Sequence, residues 1–428
     1  MTEVVDDKAL AAWIASEMLA MSFQARAYLD ADIFAFERDR LLSDQWILAA
    51  HGSELTEPGS RIERTVLGQS LVLVRTSQGI NAFYNVCVHR GARLLDDAQE
   101  GCGPDLVCPY HRWTFDTDGV LKAAPHIDPI PSARLVRVAC REIAGLIFIN
   151  LAGDDGAPEA ADRIERMCRE LWEWHGLPKA KVADRLTIDV DANWKVAVEN
   201  FLECYHCPEN HPQFCSVYDH ILISASVDPE ERKRYMRHTL DWVRRAQDAG
   251  TPTTPLVRLN PDDRQFSVCY RLGIRPGFDT LSDGGAGIAP LMGKFTRYDG
   301  GETFGFVGPL LHFSLANDHC VLISVRPLAP DRTAFDLTWL VDEKACDGVD
   351  YQTHELRWLW EATARQDAVL IERVQKGVRS RGYRPGRYGP LEVDAAAFKT
   401  WFLSRARLHL GSVGAPASNH LMTETADD

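Results

Sequence analysis

The chain has 428 residues, of which 45% are hydrophobic and 25% are charged. These proportions are ordinary for folded globular proteins, and the length predicts two or three domains. The formal net charge of −14 argues against binding to nucleic acid or to anionic membranes. No apolar stretch reaches the roughly 18 residues of a membrane span, and the N-terminal residues do not resemble a signal peptide. The sequence therefore predicts a cytoplasmic protein whose 11 cysteines are reduced or bind metal.

The first third of the chain is predicted to form a helical segment and then a β domain. Residues 1–45 are polar and predicted to be helical, with Phe34, Leu41 and Leu42 as anchoring positions. Short segments bounded by turn residues predict a β domain over residues 46–152. Its predicted strands are Arg61–Val66, Leu71–Arg75, Ile80–Val86, Leu135–Cys140 and Leu146–Asn150. Residues 153–158, rich in Gly, Asp and Pro, predict a linker.

The remaining residues, 159–428, are predicted to form a second domain of helices and strands. A charged helix is expected over about 159–175, a strand over 185–191, and a further helix from near Asn193. Residues 250–295 are expected to be a loop-rich region over a pocket. Alternating apolar residues predict strands around 321–325 and 335–341, and a long helix is expected over about 353–380. Strands followed by a long helix on one face favour an α+β fold.

Two loops of the β domain each contain one cysteine and one histidine. Cys87 and His89 form the first pair, Cys108 and His111 the second, and 18 residues separate the pairs. Two thiolates and two imidazoles are the ligand set of a Rieske [2Fe–2S] cluster, in which one iron has sulfur ligands and the other nitrogen ligands. A structural zinc site accepts the same four residues, but zinc motifs usually pair Cys with Cys and His with His. The mixed pairs favour the iron–sulfur cluster.

A second group of metal-ligand residue types lies between residues 199 and 212. On a continuous helix, Glu199, Glu203 and His206 would share a face. His211 lies five residues beyond His206, so two prolines are expected to end that helix and return His211 toward the same point. The segment therefore predicts two imidazole ligands that need a third ligand from elsewhere.

Two cysteines of this segment, Cys204 and Cys207, leave a zinc site conceivable. Thiolates would, however, fill the coordination positions that oxygen chemistry needs open. Small buried cysteines are therefore the preferred interpretation.

The long C-terminal helix provides a candidate for the third ligand. Its apolar stripe contains a single charged residue, Asp367, and comprises Leu356, Trp360, Thr363, Asp367, Leu370, Val374 and Val378. A carboxylate that faces a core is costly unless it is paired or binds a metal. An ion pair with Arg or Lys is the alternative, but two histidines already lack an anionic partner. Two His and one carboxylate form the facial triad of non-heme Fe(II) oxygenases.

With these two motifs the chain resembles the alpha subunits of Rieske non-heme iron oxygenases. The resemblance extends to Gln366-Asp367, to Gln375 through Ser380 and to Tyr383 through Gly386. It implies an N-terminal Rieske domain, a helix-grip catalytic domain in which an antiparallel sheet wraps a long helix, and an N-terminal segment packed on the catalytic domain. It also implies a homotrimer in which the cluster of one subunit reduces the iron of its neighbour, and a separate flavin or iron–sulfur reductase that takes electrons from NAD(P)H.

The resemblance further implies that Glu203 bridges the two metal sites of neighbouring subunits. Ring-hydroxylating members mostly have Asp at this position, whereas the carnitine, choline and glycine betaine oxygenases resemble this chain in having Glu. Similarity to the betaine and stachydrine oxygenases also covers Trp339–Val341 and Gly348–Tyr351. The resemblance to this group implies hydroxylation of an N-methyl carbon of a quaternary ammonium compound, with loss of formaldehyde.

Other functions remain open at this stage. Hydroxylation of an aromatic ring or aromatic acid by the same two metals is the runner-up, and it calls for a pocket arginine among Arg271, Arg275 and Arg297. A simple electron carrier would not need the triad, and a structural zinc protein would lack the red-brown colour of a Rieske cluster. The sequence does not separate monooxygenation from dioxygenation or reveal whether a small beta subunit is required.

Overall fold

The N-terminal part of the chain is a series of short helices. The computed structural model describes residues 6–153, 156–219, 228–254 and 259–411. Three α-helices come first, α1 (Asp7–Ser16), α2 (Ala25–Leu29) and α3 (Ala31–Phe36), and a π-helical turn follows at Glu37–Leu42. Asp6 and Asp30 accept hydrogen bonds from the first backbone N–H groups of α1 and α3. The predicted anchors Phe34, Leu41 and Leu42 are buried.

Ten strands form the β region that follows. They are β1 (Ile47–His51), β2 (Arg61–Val66), β3 (Gln69–Thr76), β4 (Gly79–Tyr84), β5 (Glu100–Gly101), β6 (Asp105–Val107), β7 (Thr114–Asp116), β8 (Leu121–Ala123), β9 (Arg137–Ile143) and β10 (Leu146–Asn150). A seven-stranded sheet has the order β1-β10-β9-β4-β3-β2-β5, and β6-β7-β8 form a second, small sheet. The five predicted strands agree with the observed ones to within a few residues at each end.

The rest of the chain combines one antiparallel sheet with helices. The strands are β11 (Lys181–Val190), β12 (Ser267–Gly273), β13 (Gly301–Val307), β14 (Leu311–Leu315), β15 (Cys320–Ala329) and β16 (Arg332–Val341), in the order β11-β16-β15-β14-β13-β12. The helices are α4 (Pro158–Trp174), α5 (Trp194–Phe201), α6 (Cys207–Asn210), α7 (Pro212–Val217), α8 (Pro229–Asp248), α9 (Thr353–Val378) and α10 (Val393–Gly411). The predicted α+β class is confirmed.

The two faces of this sheet are covered by different elements. Alternate residues of β16, such as Phe335, Leu337 and Trp339, are fully buried in a core that includes α9, α10 and the N-terminal helices. The opposite face, with Phe313 and Leu322, packs in a second core with α4 and with β9 and β10 of the β region. A third, smaller core surrounds Cys87 and Cys108. Among the described residues, no helix is long and apolar enough to cross a bilayer.

One detail of the sequence prediction is incomplete and another is wrong. The described part of region 250–295 is rich in loops, as expected, but it also contains the regular strand β12, whose alternating pattern is masked by the Gly, Pro and Asp residues around it. In α9, Val374 was placed on the buried stripe, yet it is 50% exposed and Gln375 is buried instead. An α-helix has 3.6 residues per turn, so a stripe that repeats every seven residues rotates gradually to solvent.

Candidate metal centres

The two cluster loops have closely related backbone geometry. In the first loop the N–H of Gly91 donates to the carbonyl of Cys87 at 2.9 Å, and in the second the N–H of Arg112 donates to that of Cys108 at 3.1 Å. Each loop turns back through a left-handed residue, Gly91 at φ 75° and Arg112 at φ 61°. The N–H of each cysteine is also hydrogen-bonded across its loop. Each loop therefore holds its cysteine in a fixed orientation.

The four predicted cluster ligands lie together. Cys87 and Cys108 are buried, and burial together with the neighbouring Cys108 thiol raises the pKa of Cys87. The rings of His89 and His111 are half-buried, with centroids 4.7 Å apart, and Trp113 stacks on His89 at 4.5 Å. Sulfur donors on the inner side and imidazoles on the outer side fit a [2Fe–2S] cluster with one iron at the edge of the domain.

His206, His211 and Asp367 converge on one point. The Nε2 atoms of the two histidines are 3.1 Å apart, and Oδ1 of Asp367 lies 3.3 Å from the first and 3.0 Å from the second. Three ligands on one face of an octahedron, each about 2.1 Å from a metal, are about 3 Å from one another. The three donor atoms therefore fit a facial triad without rearrangement.

The local structure around His206 differs from the sequence prediction. Helix α5 ends at Phe201, so Glu199, Glu203 and His206 do not share a helical face. The side chain of Glu199 is instead directed away from the triad and accepts hydrogen bonds from the Tyr28 and Tyr388 hydroxyls, both at 2.6 Å. The two prolines start α6 and α7 rather than end a helix, since proline suits a first helical turn.

Glu203 stabilises the turn that replaces the predicted helix. Its Oε2 accepts hydrogen bonds from the backbone N–H groups of Tyr205 and His206, the second at 3.3 Å. Its Oε1 contacts Nδ1 of His206, the ring nitrogen that faces away from the triad. This carboxylate therefore fixes the orientation of His206, as outer hydrogen-bond partners of metal ligands do. Within the described chain, Glu203 makes no hydrogen bond or ion pair with the cluster histidines.

Two further residues contact the triad histidines, and sequence reasoning missed both. Gln366 contacts a nitrogen that faces away from the metal position, whereas Asn200 contacts the nitrogen that would bind metal. Gln366 accepts a hydrogen bond from Nδ1 of His211 at 2.8 Å and donates to Gln213 at 3.1 Å. Nδ2 of Asn200, at the end of α5, lies 3.2 Å from Nε2 of His206. The position of Gln366 directly before Asp367 was a usable signal, because consecutive residues on one helix can reach two ligands of a single site.

The triad is an anionic environment. Burial disfavours a charged Asp367, but hydrogen bonds from His206 and His211 outweigh it and lower the pKa of its carboxyl group. Burial likewise disfavours a charged His206, and Asp367 and Glu203 outweigh it and raise the pKa of that ring to about 10. A site that stabilises positive charge so strongly suits a metal cation.

The sulfur of Cys207 is a fourth potential ligand atom close to the triad. Its sulfur and the ring nitrogens of His206 and His211 all lie within 4.8 Å of one another. The thiol of Cys204 and burial both raise the pKa of Cys207, which disfavours the thiolate that would bind metal. Cys207 is buried, as expected for a small packing residue, whereas Cys204 is half-buried.

Two of the three arginines named for an aromatic acid have other partners, and the third, Arg297, is exposed. Arg271 is fully buried on the opposite side of strand β12, where it pairs with Asp299 at 2.9 Å. Arg275 donates to the backbone carbonyl of Cys215 at 3.0 Å. Both guanidinium groups are therefore engaged in holding the protein together.

Comparison with known families identifies both regions. Residues 45–134 match the Rieske [2Fe–2S] domain, and residues 177–407 match the ring hydroxylating alpha subunit (catalytic domain). The catalytic match covers more than half of the chain. The protein is therefore an oxidoreductase with a Rieske cluster and a mononuclear non-heme iron.

Individual relatives span nearly the whole chain. It is 30% identical to the glycine betaine monooxygenase oxygenase subunit of Pseudomonas aeruginosa over 421 residues, covering 95% of this chain and 94% of that one. It is also 30% identical to the carnitine monooxygenase oxygenase subunit of Escherichia coli K12, covering 85% and 86%. The crystal structure of the quaternary ammonium Rieske monooxygenase CntA with L-carnitine has the same fold, with a TM-score of 0.63 at 23% identity and coverage of 92% and 97%. The chain belongs to the family of Rieske ring-hydroxylating oxygenase alpha subunits.

Proposed function

We propose that the protein is the oxygenase component of a Rieske system that hydroxylates an N-methyl group of a betaine-like quaternary ammonium compound. The observation that carries the proposal is the triad of His206, His211 and Asp367, whose donor atoms are 3.0–3.3 Å apart. When bound there, iron supplies oxygen activation, and the three protein ligands leave three positions open for oxygen and substrate. The glycine betaine and carnitine relatives support the substrate class.

The proposed reaction balances with two external electrons. The substrate R₃N⁺–CH₃, one O₂, two electrons and two protons give R₃N⁺–CH₂OH and water. The hydroxymethyl product then loses its hydroxyl proton and breaks the C–N bond, so that the bonding pair stays on nitrogen. Formaldehyde and a tertiary amine are released.

The electrons are proposed to come from a separate reductase that oxidises NAD(P)H. A dinucleotide fingerprint between a strand and a helix is absent from the sequence. The proposed location is the cytoplasm, where a reductase and a nicotinamide cofactor are available.

The active assembly is proposed to be a head-to-tail homotrimer in which Glu203 bridges His206 to His111 of a neighbouring subunit. Oε1 of Glu203 already contacts His206, and the carboxylate is close to the surface, beside Tyr205, which is 64% exposed. Near the cluster, Tyr110 is 58% exposed and lies against the ring of His111. Exposed tyrosines beside each site are typical of protein interfaces.

A single-turnover experiment tests this function. The iron-loaded protein is reduced and then exposed to oxygen with glycine betaine, carnitine, choline or an aromatic acid, while cluster absorbance and product mass are followed. We expect reoxidation that depends on an ammonium substrate, together with formaldehyde in equal amount to the demethylated product. A response to the aromatic acid alone would instead establish ring hydroxylation, and a colourless protein would overturn the Rieske assignment.

A further inference from the structure

The sheet face beside the triad contains a buried histidine, His312, that the proposed mechanism does not use. On strands β13 and β14 this face presents Glu302, Phe304 and Phe306, and then His312 and Ser314. The face packs against α9, because Nε1 of Trp360 donates to Oγ of Ser314 at 3.2 Å. Trp360 lies seven residues before Asp367 and hence on the same side of that helix. His312 therefore belongs to the wall next to the iron ligands.

His312 is enclosed by aromatic rings. Phe306 stacks on it at 4.8 Å, Phe304 and Trp360 contact it edge-on at 4.5 and 5.3 Å, and Phe201 lies at 6.1 Å. Phe304 and Phe201 remain partly exposed, so this wall is not completely covered by protein. Aromatic faces attract quaternary ammonium groups, since the ring carries negative charge on its face.

The imidazole is nevertheless unsatisfied. His312 is 5% exposed, and neither ring nitrogen has a hydrogen-bond partner within the described part of the chain. On the same face, by contrast, Ser314 donates to Oε1 of Glu302 at 2.5 Å. A buried donor or acceptor without a partner costs about 1–3 kcal/mol, and few are retained in native proteins. A polar ligand that reaches His312 past the partly exposed rings of Phe201 and Phe304 would remove that cost.

Resting on the proposed function, we propose that His312 hydrogen-bonds the oxygen-bearing end of the quaternary ammonium substrate. Burial lowers the pKa of His312 to about 3, and the Asp367 carboxylate offsets only part of this effect. The ring is therefore neutral and offers one N–H donor and one acceptor, which suit a carboxylate or a hydroxyl oxygen. The aromatic rings accommodate the methylated nitrogen, and His312 selects cations that carry an oxygen function.

The test compares two substrates that differ in the oxygen function. Glycine betaine and ethyltrimethylammonium are turned over by the wild-type protein and by His312→Phe, with cluster absorbance and iron content measured for both proteins. We expect His312→Phe to raise KM for glycine betaine about 10-fold or more, and to change KM for ethyltrimethylammonium by less than about 3-fold. His312→Asn retains a donor and an acceptor and should recover part of the preference for glycine betaine.

A packing control separates recognition from a general disturbance of the pocket. Phe306→Leu removes a ring from the same wall and should raise KM for both cations to a similar extent. If His312→Phe does not retain its metals, the smaller His312→Leu provides the apolar comparison. An unchanged ratio of the two KM values in the apolar variant would overturn the role of His312. Failure of the wild-type protein to turn over any ammonium cation would instead contradict the proposed function.

Discussion

At the scale of single residues, Glu203 has two separable roles, in the local turn and in the proposed bridge. A Glu203→Gln variant keeps an oxygen that can accept from the backbone N–H of His206 but loses the negative charge. We expect it to bind both metals and to transfer electrons from the cluster to the iron more slowly by at least about 10-fold. Iron content and the rate of cluster reoxidation with substrate and oxygen measure the two roles separately. Normal turnover would exclude the bridge.

Gln366 offers a second test at this scale, because it orients His211 by accepting a hydrogen bond from Nδ1 of that ring. Gln366→Ala should lower the affinity for Fe(II) by about 10- to 100-fold, as for other outer partners of histidine ligands. Gln366→Glu, which retains the acceptor, should bind iron more tightly than the alanine variant. Gln213→Ala is the matched control, since it removes only the support of Gln366. Equal iron affinity in Gln366→Ala and the wild-type protein would argue against this role.

Glu302 gives a prediction on pH dependence. Burial raises its pKa to about 7 from a usual value near 4.5, although Ser314 and Tyr218 favour the charged form. The folded protein therefore holds a proton that the unfolded chain releases, so this group lowers stability as pH rises from about 4.5 to 7, by about 3 kcal/mol in total. Infrared difference spectra between pH 6 and pH 8 should show the loss of a protonated-carboxyl band, and Glu302→Gln should lack that change.

The site residues that could be predicted from the sequence have more distinctive side chains than the site residues that were missed. Cysteine and histidine at metal-ligand spacing are chemically distinctive, and Asp367 is the single charged residue of an apolar stripe. Candidate ligands of both sites could therefore be named from the sequence, and the structure brings them together. Gln366 and Asn200 act through amide groups that are common on any protein surface. His312 becomes informative only when its burial and missing partners are known.

At the scale of elements, α5 is held by buried charges of the N-terminal segment. Glu37 accepts hydrogen bonds from Nζ of Lys195 at 2.6 Å and from Nε1 of Trp194 at 2.7 Å, and both charged side chains are fully buried. Such a pair contributes little net stability compared with apolar residues, but removal of one partner leaves an isolated buried charge.

This pair provides a prediction for the stability of the helix. Lys195→Met alone should lower the free energy of unfolding by about 3–5 kcal/mol, because Glu37 loses its counter-charge. The double variant Lys195→Met with Glu37→Gln should recover most of that loss, since the new amide can still accept from Trp194. Denaturant unfolding followed by tryptophan fluorescence measures the difference. An equal loss in the single and double variants would show that packing, not charge, dominates.

The length of α5 shows why the local structure at the triad was predicted wrongly. Residues 202–206 have no Gly or Pro, so their types allow a helix to continue. The helix ends because the side chain of Glu203 takes the place of backbone acceptors for Tyr205 and His206. Competition of this kind depends on side-chain geometry, whereas the long helix α9 has a strong apolar period and was predicted within two residues.

At the scale of the whole molecule, the two metal sites lie in separate cores. Cys87 and Cys108 belong to the small core of the β region, and Asp367 lies on the helix that packs against the catalytic sheet. The sequence indicated two sites with different tasks, but relative positions depend on how surfaces pack. In the proposed trimer the route for electrons runs between chains, from a cluster to the iron of a neighbour.

Mixed trimers test that route directly. A cluster-deficient variant, Cys108→Ser, and an iron-deficient variant, Asp367→Ala, are produced together in equal amounts with different affinity tags. Each variant alone should form no product in a single turnover. In a closed ring, half of the subunits have an intact iron site, and half of these adjoin a subunit with an intact cluster, so about a quarter of the wild-type product is expected. Transfer within one chain would give none, because no subunit of the mixture carries both metals.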